Sequence, residues 1–548
     1  MVTNEYDVIV IGGGLLGCFT ARALTRYDLK VALLEKREDL CTGISRANAS
    51  IVYSGCDMKP GTRKAEMCVK AAQSFPALCD ELGVRYSACG SVMVCFGERG
   101  AAVLRKKFDQ GTLSGVRGMR LLTRDEVLEL EPNIAGHVHS GLFVPDTGTV
   151  MPWELCFAAA ENAASNGADI LLQTEVVAAQ SAASGRGYTI RTSRGDYFAR
   201  AVVNCAGLAA DEVLEMAFEP VVRIVPSAGD FYVLDTKAAG HIRHVIFHEP
   251  EEKGKGLTLV PTVDGNTLIG STERPVSSGK WKMESGKIKD EDERGKWKME
   301  SGKIKDEDAH GKWKVENVGA DALGSPRGER RGECGDFFAT AAEGLGQLRS
   351  LVAEVMPTLP MEHVISSFGA VRPNPYLLLR DENGGLVTDD RSINEFCIIE
   401  ADDGPFISFV GVKTPGLTCS SELGEYAAQK IAAQLSAAPN VLFDPRREPA
   451  PRLSEMPFDE RDALIRISPD YGKIVCRCRG TSEGEIVDAI RRFPGAVTLD
   501  GVKRRTGADS GRCQGGYCTQ RIIEILAREF GCGVEDITKD GGNSRILV

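Results

Sequence analysis

The sequence predicts an α/β chain in which a parallel, doubly wound sheet is interleaved with an antiparallel sheet, followed by a small cysteine-bearing module. Three observations predict it. Residues 1–35 read as strand, glycine-rich turn, helix and strand. The middle of the chain alternates in short period-two runs separated by turns, the pattern of an antiparallel sheet. Two close-spaced cysteine pairs follow a stretch rich in proline and arginine, which reads as a linker.

The opening element organises the rest. Tyr6 to Ile11 is a β-branched run that suits a buried parallel strand. It runs into Gly12-Gly13-Gly14-Leu15-Leu16-Gly17, then an alanine-rich helical stretch over 18–26, then a second strand that ends in Glu35. In such a turn Gly12 makes the bend, Gly14 lets a pyrophosphate reach the backbone, and Gly17 lets helix and strand pack closely. The pyrophosphate sits on the helix N-terminus, and Glu35 stands where an acid holds ribose hydroxyls. An acid there argues against a 2′-phosphate. The ligand is a dinucleotide, NAD or FAD.

Composition narrows the class. A chain of 548 residues supports about three domains with ample core. A net charge of −11 gives no footprint for nucleic acid or an anionic membrane. No run of about 18 apolar residues occurs, so no transmembrane segment is expected. The fold begins within a few residues of Met1, leaving no room for a signal peptide. Of 17 cysteines, Cys18, Cys68, Cys156, Cys205 and Cys397 sit singly in apolar runs. A disulfide framework is therefore not expected, and a reducing, cytoplasmic setting is.

Further along, 41–61 reads as a loop lining the cofactor, and 65–82, 123–130 and 153–164 as helices. Strands are expected at 169–180, 187–192 and 199–205, the last running into Ala206-Gly207. Alternating segments at 224–234, 245–247, 256–262 and 266–270 predict the antiparallel floor of a substrate domain. A lysine- and acid-rich repeat begins at Gly279, recurs at Gly295 and starts again at Gly311. Its few apolar residues cannot bury a core, so 276–335 is expected to be a disordered or loosely helical surface insertion. A helix is expected at 341–356, strands at 365–372, 395–400 and 406–412, and a helix at 421–435. The boundaries that follow give a cofactor domain (1–75, 150–215, 365–437) and a substrate domain (76–149, 216–364). A linker (438–470) and a terminal module (471–535) complete the chain.

Cys476-x-Cys478 and Cys513-x₄-Cys518 form a metal-ligand constellation. Tetrahedral zinc and a 2Fe–2S cluster both accept four thiolates. Gly511, Gly515 and Gly516 free backbone amides for cluster sulfides. Arg477, Arg479, Lys503, Arg504, Arg505 and Arg512 would offset thiolate charge and raise the reduction potential.

At this point a resemblance enters. The cysteine motif, with Gly511-Arg512-Cys513-Gln514-Gly515-Gly516-Tyr517-Cys518 and Val502-Lys503-Arg504-Arg505-Thr506, is similar to the bacterioferritin-associated ferredoxin-like 2Fe–2S domain. The rest resembles the FAD-dependent glycerol-3-phosphate dehydrogenase and L-2-hydroxyglutarate oxidase group of the D-amino-acid-oxidase-like fold. The matching stretches are the glycine loop, Ala47 to Gly55, Pro60-Gly61-Thr62, Asn204-Cys205-Ala206-Gly207, Gly265-Asn266 and Thr414-Pro415-Gly416-Leu417-Thr418. The resemblance implies a Rossmann-like FAD-binding domain interleaved with an α+β substrate domain, and FAD plus a 2Fe–2S cluster as cofactors. It implies cofactor contacts from Leu15, Leu16, Lys36, Ser45, Asn48, Val176, Ala206, Gly207 and Pro415 to Thr418, with Cys476, Cys478, Cys513 and Cys518 as cluster ligands. The chain departs from the pattern at Tyr53, where a histidine is usual, at Lys413, where an acid is common, and at Pro226-Ser227-Ala228-Gly229, which lacks a basic residue.

The chemistry implied is hydride transfer from glycerol 3-phosphate or a small 2-hydroxy acid to flavin, with electrons relayed through the cluster to a partner protein or second subunit. Arg372 suits a carboxylate or phosphate bidentately. Lys255 is a second anion contact, and His248 and Tyr53 are candidate bases. Two other readings stay open: oxidation of an amino or imino acid, and a non-catalytic electron-transfer or redox-sensing protein.

Overall fold

The computed structural model describes residues 4–182, 186–249, 256–276, 338–380, 385–402 and 404–547, and the backbone alone of 281–284, 287–290 and 312–315. The parallel sheet is ordered Phe406–Val410, Gly195–Asn204, Asn4–Ile11, Val31–Leu34, Asp169–Leu171, with every neighbouring pair parallel. The first strand is apolar and buried from Val8 to Ile11 because both its faces are covered there. Val8 and Val10 join one core with the helices, while Ile9 and Ile11 join a second core on the other face. Helix Leu15–Leu24 begins three residues earlier than the alanine-rich stretch predicts, so Leu15, Leu16 and Gly17 form its first turn. The helix placed at 421–435 likewise starts at Gly416. Both start just beyond the carboxyl ends of parallel strands, where doubly wound sheets take their ligands. The two helices touch where Gly424 meets the Phe19 backbone, and a Cβ there would lie 2.8 Å from the Phe19 carbonyl carbon.

The antiparallel sheet is ordered Leu386–Ser392, Val364–Arg380, Val222–Leu234, Thr267–Gly270, Thr258–Pro261, Val245–His248, Ser91–Cys95, Ser140–Val144, Arg120–Thr123. One pair within it, Val245–His248 with Ser91–Cys95, is parallel. Period two sorts its residues. Ile246, Leu259 and Ile269 pack under helix Ala342–Val355, whereas Val245, Phe247, Val260 and Leu268 face Ile51 and Tyr53 of the cofactor loop. The strand expected to end at 372 continues to Arg380, through Pro373 and Pro375. Those prolines oppose Pro226 and Ile224, two steps apart in the ladder. Two steps apart, both pairs share one pairing class, and the ladder to the strand on the other side begins only at Tyr376, so neither proline costs a ladder bond there.

Most of the repeat at 276–335 lies outside the described residues. Where backbone is described, Trp281–Glu284 pairs with Lys287–Asp290, and Lys312–Val315 pairs with Cys397–Ala401, so these pieces are strands where a loosely helical or disordered insertion was expected. The linker contains a further helix, Phe458–Ile467. The terminal module packs helices Glu483–Arg491, Leu499–Thr506 and Thr519–Phe530 around Ile486, Val502, Ile522 and Leu526. Its structure runs past residue 535: Leu499 and Asp500 donate backbone hydrogen bonds to Thr538 and Lys539.

Candidate functional site

The glycine loop is a cradle that side chains would fill. Gly12 has φ +109°, a left-handed value, and a Cβ on it would sit 2.5 Å from the Cys205 carbonyl oxygen. A Cβ on Gly17 would lie 1.8 Å from the Gly12 carbonyl oxygen. One on Gly14 would meet Ser45 Oγ at 3.0 Å. The first turn of Leu15–Leu24 carries no acidic residue, so its positive end is uncompensated. These features fit the pyrophosphate of a dinucleotide.

The surrounding loops are fixed to this cradle. Leu15 N–H donates to Ser45 Oγ (3.0 Å), and Asn48 caps its own loop, donating to the Ser45 carbonyl and accepting from Ser50 N–H. Glu35 accepts from Gly13 N–H (2.7 Å) and Arg37 N–H (2.8 Å). Burial raises its carboxyl above the ordinary range, and the Arg37 and Gly13 amides oppose that shift. Lys36 is exposed. Val176 is buried beyond Glu35, whose carbonyl accepts from Thr174 N–H. Ala206 follows Asn204, whose Oδ1 accepts its N–H, and Gly207 has φ +64°. Thr418, on the first turn of its helix, accepts from Tyr53 N–H at 2.9 Å. The expected cofactor residues on these elements thus gather along the carboxyl edge of the parallel sheet.

Facing that edge is the antiparallel sheet. Arg372 donates to the Thr272 carbonyl (3.2 Å) and to Ser271 Oγ. Tyr53 packs against Phe247, ring centroids 6.0 Å apart. Burial pushes the Tyr53 phenol well above its usual value, Asp57 adds to the rise, and the Arg372 guanidinium is near enough to oppose it. Arg372 thus acts on Tyr53 electrostatically across the space between the two sheets. His248 is turned away: it follows Phe247 on the strand, points to the opposite face and packs edge-on against Phe96. Lys255 lies outside the described residues. Sequence reasoning missed Asn374, Tyr376 and Glu273. Asn374 and Tyr376 lie two and four residues beyond Arg372, the spacing that puts strand residues on one face. Asn374 donates to Ser227 Oγ, which donates to Glu273, and Lys413 donates to Ser392 Oγ (3.1 Å).

In the terminal module Cys476 and Cys518 are buried and Cys478 and Cys513 exposed. Cys478 and Cys513 have sulfurs 3.6 Å apart. Cys476 and Cys518 are hydrogen-bonded, which pushes the Cys476 thiol down to about 6 and its partner up. Among the described residues no group of three or more ligating side chains converges on a single ion position. Two thiol pairs suit a two-iron cluster better than one tetrahedral ion. Gly511 permits the arrangement, since a Cβ there would lie 2.3 Å from Cys478 Cβ.

The arginines around these cysteines act differently from the expectation that they offset thiolate charge. Arg504 and Arg505 turn away to the fully buried Asp39, with contacts of 2.7–2.9 Å. Arg505 also lies 3.8 Å over the Phe157 ring. Arg504 reaches Asp540, which also pairs with Arg46 of the cofactor loop. Arg479 and Arg512 reach the antiparallel sheet. Of the arginines, Arg477 stays within the module, over Tyr517. Buried Asp39 needs cationic partners, and two guanidiniums supply them.

With this geometry in hand, comparison decides the family. The FAD dependent oxidoreductase family matches residues 7–430. The chain belongs to that family. Residues 474–528 match the BFD-like [2Fe-2S] binding domain. FAD and a 2Fe–2S cluster are thus its cofactors, and the cradle and the thiol pairs fit them. A glycerol 3-phosphate dehydrogenase of Caloramator mitchellensis is 34% identical over 99% of this chain and 98% of its own length. The L-2-hydroxyglutarate dehydrogenase of Escherichia coli strain K12 is 31% identical over 48% of this chain and 63% of its own length. Among solved structures, L-alpha-glycerophosphate oxidase of Mycoplasma pneumoniae with FAD bound aligns with a TM-score of 0.63 at 20% identity, covering 81% of this chain and 99% of that one. Among the described residues no helix is long and apolar enough to cross a membrane.

Proposed function

We propose that this flavoprotein oxidises a small anionic alcohol, glycerol 3-phosphate or a 2-hydroxy acid, and passes the electrons through the 2Fe–2S cluster to a partner protein or second subunit. The observation that carries the reading is the glycine cradle on the parallel sheet facing an antiparallel sheet whose Arg372 guanidinium is held by Ser271 and Thr272. The nearly full-length resemblance to a glycerol 3-phosphate dehydrogenase ranks that substrate first.

Bound flavin supplies a hydride acceptor and the cluster a one-electron acceptor. The chain's own part is positioning. The Arg372 guanidinium donates from Nη1 to the Thr272 carbonyl and from Nη2 to Ser271 Oγ, and each of these nitrogens keeps a second hydrogen to offer to a phosphate or carboxylate. Tyr53 stays protonated, so it serves as a hydrogen-bond donor to the substrate oxygen rather than as a base. Ser45, which accepts from the Leu15 amide, and the first-turn amides of Leu16 and Gly17 hold the pyrophosphate, and Leu417 and Thr418 offer amides from the second helix. The many buried thiols suit a reducing, cytoplasmic setting.

The test is anaerobic addition of glycerol 3-phosphate, then L-2-hydroxyglutarate, to holoenzyme while the flavin absorbance is followed. Bleaching by one of them identifies the substrate. Bleaching by neither, with bleaching by an amino or imino acid, moves the chain to amine oxidation. No bleaching by any of the three classes leaves the non-catalytic reading.

A further inference from the structure

We infer that Arg479 and Arg512 are positioning residues that turn the Cys478–Cys513 edge of the cluster toward the flavin-bearing body and make it the edge through which electrons enter. The inference rests on the electron relay proposed above. Cys476 and Cys518 are enclosed in the core of the module, while Cys478 and Cys513 stand at its surface. The residue after Cys478 and the residue before Cys513 are both arginines, and both leave the module. Arg479 donates to the Asp264 carbonyl (3.2 Å) and to the Asn266 side chain. Arg512 pairs with Asp235 at 3.1 Å.

Their acceptors form one corner of the antiparallel sheet. Leu234 and Thr267 are opposed in the ladder, and Asn266 Nδ2 donates to the Leu234 carbonyl at 2.7 Å. From that corner the strand Thr267–Gly270 leads to Ser271 and Thr272, whose oxygens hold Arg372. Leu268, along the way, packs in one cluster with Ile51 and Tyr53. The run from Asn266 to Ser271 spans roughly 17 Å at ordinary strand rise. A single strand thus joins the cluster anchor to the substrate arginine.

Docking as such does not need these two residues, because the buried Asp39 clamp already holds the module. The Arg512 side chain is 52% exposed, and an exposed ion pair contributes little to stability. Its effect is on where the cysteine loop sits. Each transfer oxidises the flavin by one electron and reduces one ferric iron to ferrous, with the flavin proton released to solvent. A one-electron acceptor, ferricenium in the assay, returns the iron to ferric.

The experiment uses full-length holoenzyme with flavin and iron content verified, photoreducing the flavin anaerobically with a sacrificial tertiary-amine electron donor so that no substrate is needed. Cluster reduction is then followed by absorbance and electron paramagnetic resonance. Arg512→Gln, Arg479→Gln and Asp235→Asn are expected to slow cluster reduction roughly tenfold or more, with flavin photoreduction and melting temperature unchanged. Arg512→Lys, which keeps the ion pair, restores most of the rate. Arg521→Gln, whose ion-pair partners Glu483 and Glu524 both lie within the module, leaves it unchanged. An unaltered rate in the Arg479→Gln/Arg512→Gln double variant overturns the inference. A wild-type cluster that flavin never reduces overturns the relay itself, while substrate bleaching of flavin still reports on the dehydrogenase reading.

Discussion

At the scale of single residues, the glycines and one arginine carry the sharpest consequences. Gly17→Ala places a methyl 1.8 Å from the Gly12 carbonyl oxygen, a contact that only backbone movement relieves. The variant is expected to purify with little or no flavin absorbance while the iron–sulfur absorbance persists. Arg372→Lys keeps the charge and loses the fork, so one charge-assisted hydrogen bond to the substrate anion disappears. Such a bond contributes about 1.5–3 kcal/mol, or roughly 10- to 100-fold in kcat/KM, with flavin content unchanged. Steady-state kinetics with the bleaching substrate measure it. The tight glycine turn at Gly17 was legible from type and spacing, and Arg372 was singled out by its residue type and by resemblance. The orientation of His248 was not legible, because whether a residue at a strand end faces the site depends on strand parity, and that is fixed by what the sheet packs against. Tyr53 lies on the cofactor loop, and the burial that raises its phenol is announced by no local motif.

At the scale of elements, the loop from Glu35 to Cys41 does two things at once. Glu35 and the Cys41 amide tie it to Gly13 of the cofactor cradle, and Asp39 ties it to helix Leu499–Thr506 of the iron–sulfur module. Asp39→Ala leaves Arg505 without its acid and Arg504 with Asp540 alone, and breaking such buried pairs costs about 3–5 kcal/mol. The expected result is faster hydrogen exchange in 499–506 and at the Phe157 face, with the cluster retained. Sequence reading assigned Arg504 and Arg505 to the cluster because they lie beside it in the chain. Their partner lies 465 residues away in sequence, a contact that period and motif do not encode. The long strand through Pro373 and Pro375 escaped for a related reason: proline reads as a strand breaker until its opposing residue is known.

At the scale of the whole molecule, the two-sheet architecture and the separate module could be read from the glycine turn, the alternating runs and the cysteine pairs, because these are local patterns. How the two sheets are joined could not. Glu215, which ends helix Ala210–Glu215, meets Arg223 at 2.8 Å where the chain enters the long strand Val222–Leu234 of the second sheet. Burial raises the Glu215 carboxyl to about 7, with Arg223 opposing and Asp211 adding to the rise. The folded state therefore binds a proton between the ordinary value of 4.5 and about 7 that the unfolded chain has released. Stability from this group is complete below 4.5 and falls as pH rises through about 7, a change on the order of 3 kcal/mol. Asp39 works in the other direction. Burial raises its carboxyl, but Arg505 and Arg504 outweigh burial and hold it below the ordinary 3.8, so its contribution is lost only as pH falls below that value. Melting temperatures measured from pH 5 to 8 should decline for the wild-type protein, and Glu215→Gln should flatten that decline. Parallel curves for the two proteins would mean that Glu215 stays ionised beside Arg223, and that the joint between the sheets does not titrate.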